Sequence, residues 1–389
     1  MISPSCELKP LTLAQRGAST DQMDLKRIPA LDGLRGVAIL LVLWFHFRYY
    51  MGGEPIQYTL ALLGEFGWIG VDLFFVISGF LITRILLESK KNDNYFGTFY
   101  SRRALRIFPL YFGALAILFL GPMSFLGDSL PTQHDRVLFW TYLANWGPLF
   151  EQIKPGSAAH FWSLSVEEQF YLVWPLLVWA LTKKQLARLV VGMICSAPLI
   201  RTVMILCAWN PDWIYKNTFA RMDTLAAGAG VALMLGCIEP VLIKRIGILS
   251  ILIFVASFPR IVLPTSSGRP MQIYGLSAIT LGCAAIIAAV VSGKFPLLVR
   301  AMDKKWLRAI GERSYGIYVF HMPIIEIAKH FFEPKMVRMT ASGLGFLVIL
   351  TMALVTGAIA FLSFHYFERP FLRLKSYFVA YPPLERVKY

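Results

Sequence analysis

Apolar runs long enough to cross a bilayer recur from one end of this chain to the other. They lie near 36–50, 65–87, 108–126, 161–182, 186–207, 222–238, 247–263, 273–292, 312–331 and 342–365, ten in all. A hydrocarbon core about 30 Å thick takes about 20 helical residues to span. Inside it a helix is favoured because each backbone N–H and C=O finds its partner within the same segment. Composition agrees, since only 16% of the 389 residues are charged against about a quarter in soluble domains. The expected fold is therefore all-α, a polytopic membrane bundle of about ten transmembrane helices. RVLFWTYLANW, 136–146, is apolar but too short to cross, and reads as re-entrant or interfacial.

A net charge of +15 invites a nucleic-acid reading. The basic residues, however, sit in the gaps between apolar runs and are not pooled in one domain. With both termini placed in the cytoplasm, the cytoplasmic segments hold 27 of the 38 Lys and Arg, the asymmetry expected of a multi-pass protein of the cytoplasmic (inner) membrane. Topology accounts for the charge, and no nucleic-acid partner is expected. Residues 1–26 form a polar cytoplasmic arm, 27–370 the membrane domain, and 371–389 a basic, aromatic tail suited to the cytoplasmic interface. The cysteines show no metal-ligand spacing, and no metal is expected.

Within the first run, RIPALDGLRGVAILLVLWFH (27–46), Arg35 precedes His46 by eleven residues. On an α-helix that spacing turns the chain ~1100°, about 20° past three full turns, and rises ~16 Å. Arg35 and His46 thus share a face, which draws a line from a cytoplasmic cation inward to a titratable base in a common cavity. A polar residue packed against another helix is the plainer account of the imidazole, and a topology anchor that of the arginine. Asp32 is placed to pair with Arg35, and Gly33 and Gly36 allow close approach of a neighbour or ligand.

The same stretch resembles the opening signature of the acyltransferase-3 family, membrane-embedded O-acyltransferases. GWIGVDLFFVISGFLIT (67–83), FYSRRALRIFPLYF (99–112), HFWSLSVEEQFYLVWPLL (160–177), RMDTLAAGAG (221–230), SYGIYVFHMPI (314–324) and HYFERPF (365–371) extend the resemblance in order over nearly the whole chain. It implies transfer of an acyl group, acetyl foremost, from acyl-CoA (acetyl-CoA) to a hydroxyl of a cell-surface or exported carbohydrate. The acceptor is free or lipid-linked, and the enzyme is surrounded by membrane lipids. The competing function is a transporter or flippase for a glycan or lipid-linked intermediate, but the chain lacks the paired, interrupted half-repeats common in carriers.

Arg103 and Arg106 lie three apart and share a helix face, while Arg102 points elsewhere. Their guanidinium forks suit the phosphates of coenzyme A, and the resemblance assigns donor handling to this pair; positive-inside anchoring is the plainer account. A sugar hydroxyl needs a base as it attacks a thioester, and a neutral His46 suits that role. Ser165 and Glu168 have capping-box spacing, a sufficient structural reason for both. The resemblance adds that Glu168 orients His46 or grips the acceptor. Asp72 is placed either to orient the imidazole or to pair with an arginine such as Arg48 or Arg221. Arg221 and Asp223 read as a local ion pair. His321 reads as polar packing, and His160 takes no role. Trp68, Trp146, Trp162 and Trp213 read as an aromatic belt at the outer boundary.

Overall fold

The computed structural model describes residues 28–51, 55–121, 130–149, 156–235, 237, 239–257 and 268–378. The arm 1–26 and the end of the tail from 379 lie outside the described residues. Among those described there are helices and turns and no strand. Ten helices of at least 16 residues follow the ten apolar runs. They are α1 (Pro29–Phe47), α2 (Ile69–Ser89), α3 (Tyr95–Phe119), α4 (Trp162–Ala180), α5 (Lys183–Leu206), α6 (Thr218–Leu233), α7 (Pro240–Ala256), α8 (Leu276–Ser292), α9 (Ser314–Ala341) and α10 (Gly345–Ser363).

Among the described residues five helical stretches are long and apolar enough to cross a membrane: Pro29–Tyr50, Pro55–Ser89, Lys183–Leu206, Met271–Ser292 and Gly345–Tyr377. The stretches holding α5 and α10 bury only 22% and 28% of their most apolar windows. An apolar surface that wide turned outward suits lipid and would promote association in water. The 136–146 stretch is no long helix but the short helix Gln133–Trp140 followed by a short 3-10 helix at Ala144–Leu149.

Small residues let the central helices touch. α2 and α6 cross where Gly79 meets the Leu225 carbonyl and Gly228 meets the Val76 carbonyl, and a Cβ on either glycine would collide with that backbone. Apolar side chains gain little by leaving lipid, so close backbone packing of this kind is a main source of helix association in membranes.

Two buried ion pairs fasten the same region. Arg221 Nη2 donates to Asp72 Oδ1 at 2.6 Å, with both side chains 0% exposed. Arg201 Nη1 donates to Asp223 Oδ2 at 3.0 Å, and Ser277 Oγ donates to the same oxygen at 2.9 Å. The local Arg221–Asp223 pair expected from sequence is therefore replaced by pairs that tie α6 to α2 and to α5. A carboxylate two residues along a helix projects from a different side than the guanidinium, so each finds a partner across the interface. Arg48 is taken by Glu65, at 2.8 and 3.0 Å.

Removing one member of a buried pair strands the other's charge, at a cost of about 3–5 kcal/mol. Asp72→Asn is expected to lower the thermal midpoint of the detergent-solubilised protein by many degrees. Asp72→Val combined with Arg221→Met should recover most of that loss. A single variant melting with wild type in a scanning-fluorescence experiment would show that the pair contributes nothing.

The tryptophans also depart from the belt reading. Trp68, Trp162 and Trp213 are buried. Trp68 and Trp162 pack on Tyr215 with ring centroids 5.9 and 5.2 Å away, inside the protein.

Candidate active site

The N-terminal half of α1 is held by backbone contact. Gly33 meets the Met302 carbonyl, Gly36 the Leu307 carbonyl, and Gly311 the Asp32 carbonyl, each too close for a Cβ. The close approach anticipated for Gly33 and Gly36 is thus taken up by neighbouring chain, the helices Pro296–Met302 and Lys305–Glu312. This packing fixes the azimuth of α1 and turns Arg35 inward, where its Nη1 donates to Asp32 Oδ1 at 3.1 Å.

Arg35 lines a partly open cavity, and Arg103 and Arg106 of α3 line it with Arg35. Arg102 is not in the lining, as the three-residue spacing predicts. The Arg103 guanidinium lies 4.3 Å from the centroid of the Tyr171 ring, and its buried Nε has no hydrogen-bond partner. Among the described residues neither Arg103 nor Arg106 forms an ion pair. Two guanidiniums facing a cavity without bound carboxylates are poised for an external anion.

α4 supplies the cavity's acidic wall through Glu167 and Glu168. Glu167 Oε1 accepts from Ser78 Oγ at 2.7 Å, and Ser78 Oγ lies 2.8 Å from Tyr171 OH. Glu168 is no capping residue. α4 already begins at Trp162, and Ser165 Oγ donates to the Phe161 carbonyl at 3.3 Å, one turn back. Glu168 instead reaches the cavity, and its buried Oε1 has no hydrogen-bond partner. The structural reason for a carboxylate there is gone.

The cavity's other end is closed by Ser163 and Tyr318, whose hydroxyls lie 2.6 Å apart. Both also lie within reach of the His160 carbonyl, at 3.2 and 2.8 Å, so one hydroxyl donates to that carbonyl and the other to its neighbour. Behind them stands a layer of three imidazoles. The His321 ring lies with its centroid 4.8 Å from that of His46 and 4.8 Å from that of His160. His160 and His321 are buried, and His46, in the last turn of α1, is half-buried.

His46 therefore does not belong to the lining of the cavity that holds Arg35. The helical phase places the two on one face, but His321, His160 and Tyr318 fill the space between. The direction of the chain explains why. From Gly311 beside Asp32, α9 runs alongside α1 toward the same end and brings His321 level with His46. Asp72, committed to Arg221, is hydrogen-bonded to neither imidazole nor cavity arginine.

Sequence reasoning passed over His160, Glu167, Tyr171 and Tyr318. A signal was present. His160, Ser163, Glu167 and Tyr171 recur at three- and four-residue steps, a polar stripe down one face of an otherwise apolar segment.

The acyltransferase-3 family model, described as an acyltransferase domain, matches residues 28–363. The chain belongs to the acyltransferase-3 family. The peptidoglycan O-acetyltransferase OatA of Listeria monocytogenes is 29% identical over 378 residues, covering 90% of this chain and 57% of that protein. A putative peptidoglycan O-acetyltransferase of Bacillus subtilis, YrhL, is 30% identical over 365 residues, covering 88% of this chain and 54% of its own length. A putative O-acetyltransferase of Staphylococcus aureus is 27% identical, covering 90% and 58%. This acyltransferase-3 chain thus spans a little over half the length of the curated relatives it matches. No solved structure matches it. Among the described residues no cluster of His, Cys, Asp or Glu is arranged to hold a metal ion, the three imidazoles included.

Proposed function

We propose that the protein is a membrane O-acyltransferase that moves an acetyl group from cytoplasmic acetyl-CoA to a hydroxyl of a cell-surface or exported carbohydrate. All ten long helices cross the cytoplasmic membrane in this reading, with both termini in the cytoplasm. The observation that carries it is the cavity itself. Arg35, Arg103 and Arg106 crowd one end, two of them without an ion-pair partner among the described residues, and the other end stops at a layer of imidazoles.

Guanidinium forks suit the pyrophosphate and ribose phosphate of coenzyme A. From those anchors the pantetheine arm extends toward Ser163 and Tyr318, where the cavity closes in front of the histidine layer, and the thioester reaches His46 when those two side chains swing aside. A thioester is already activated, so the remaining demand is a base for the sugar hydroxyl. His46 Nδ1 lies 2.9 Å from the Val42 carbonyl. A carbonyl only accepts, so Nδ1 carries the hydrogen and Nε2 keeps its lone pair, the form a base requires. Glu168 grips acceptor hydroxyls or orients the reacting groups from the cavity wall. Peptidoglycan and other surface glycans are the acceptor class, by likeness to the named O-acetyltransferases. Family membership favours this enzyme over a carrier.

The test gives membranes containing the protein radiolabelled acetyl-CoA with de-O-acetylated glycan from the producing cells. Label should enter the glycan as alkali-labile ester, and membranes lacking the protein should incorporate none. Equal incorporation in both would end the proposal.

A further inference from the structure

The three imidazoles share a feature that packing alone does not call for. Each has one ring nitrogen against a backbone carbonyl. His46 Nδ1 meets Val42 O at 2.9 Å, His321 Nδ1 meets Tyr318 O at 2.6 Å, and His160 Nε2 meets Val319 O at 3.1 Å. In the neutral ring each of these nitrogens must be the N–H, so each remaining nitrogen bears a lone pair. The remaining nitrogens of His321 and His160, Nε2 and Nδ1, are buried with no hydrogen-bond partner. Among the described residues nothing donates to either of these lone pairs, and a buried acceptor left unmet is costly.

The cluster also lacks what an isolated catalytic histidine usually has. A protonated imidazole is ordinarily steadied by a carboxylate, as in the Ser-His-Asp arrangement. Here the obvious candidate, Asp72, is bound to Arg221, and the ring neighbours of His46 are Phe45 and His321.

We infer that His46, His321 and His160 work as one proton-holding group, with the free lone pairs of His321 and His160 taking the place of a missing carboxylate. This rests on the acyl transfer proposed above. As the acceptor oxygen bonds to the acyl carbon, its proton passes to His46 Nε2. It is then shared with the lone pairs of His321 and His160, which draws it away from the attacking oxygen. The C–S bond breaks with its electron pair on sulfur, and the shared proton returns to that thiolate. The products are an ester and a free thiol, with no oxidation or reduction. His321 and His160 are positioning residues in this scheme, acting through His46.

Two substitutions separate proton sharing from support of the fold. His321→Asn and His160→Gln each put an amide N–H where the ring N–H donates to its carbonyl, but neither side chain takes up a proton. In vesicles holding the full chain, with labelled acetyl-CoA and de-O-acetylated glycan, kcat should fall about 10²-fold in each variant. KM for acetyl-CoA should not change. Transfer within twofold of wild type in both variants would overturn the inference and leave the acyltransferase reading intact. Absence of transfer by the wild-type chain would overturn both. If one variant fails to insert, the other decides alone, because each removes one lone pair of the shared group.

Discussion

Replacing His46 with alanine is expected to lower acetyl transfer by ~10²- to 10⁴-fold, the range over which a positioned base contributes, while the protein inserts and elutes as a single folded species. The separation of the two effects follows from what the ring touches. Its hydrogen bond runs to Val42, four residues back on its own helix. Its ring contacts are Phe45 beside it and His321 across from it. Alanine is the best helix former and leaves the α1 backbone bonds intact. What it removes is the one accessible lone pair of the histidine layer. The discriminating measurement is kcat for transfer to glycan, normalised to folded protein from size-exclusion chromatography. If the variant kept more than a tenth of wild-type kcat, the base would have to be sought elsewhere, with His321 the next ring in line.

How far the sequence disclosed this arrangement depends on the reach of each interaction. Hydropathy marks what faces lipid, so it located helices but cut them short where they turn inward. The run at 36–50 became α1 from Pro29, because Asp32 and Arg35 are sheltered against Gly311 and the cavity. The run at 108–126 became α3 from Tyr95, because Arg103 and Arg106 point into the protein. The same polar faces keep α3, α4 and α9 outside the five stretches that satisfy length and apolarity together, while α6 and α7, of 16 and 17 residues, fall short in length. Spacings of three and four residues were readable as shared faces, and so the Arg103–Arg106 pair came out correctly. Local spacing also misled: Ser165 and Glu168 have the pattern of a cap, yet the helix starts a turn earlier and Glu168 belongs to the cavity. Contacts between distant segments were out of reach. Asp72 and Arg221 stand 149 residues apart, and His46, His160 and His321 come from three separate elements. No periodicity within one segment encodes such a meeting.

The second large effect belongs to the arginine pair, and a choice of donor makes it decisive. Charge-assisted hydrogen bonds contribute about 1.5–3 kcal/mol each, so Arg103→Ala or Arg106→Ala should cost ~10- to 150-fold in kcat/KM for acetyl-CoA at 1.4 kcal/mol per tenfold. Acetyl-pantetheine carries the same thioester and arm but no nucleotide phosphates. With that donor the wild-type protein should already be slow, and each alanine variant should match it within about twofold, since the interaction lost has nothing left to bind. Lysine should restore only part of the acetyl-CoA activity, because a point charge does not reproduce the two-pronged fork. The geometry supports independent action of the two side chains. Arg103 is steadied by stacking on Tyr171, and among the described residues neither guanidinium is spent on a carboxylate. An equal loss with both donors would mean that the arginines shape the cavity or set topology and do not hold phosphate. The donor's orientation, nucleotide at the arginines and thioester at the imidazoles, would then lose its anchor.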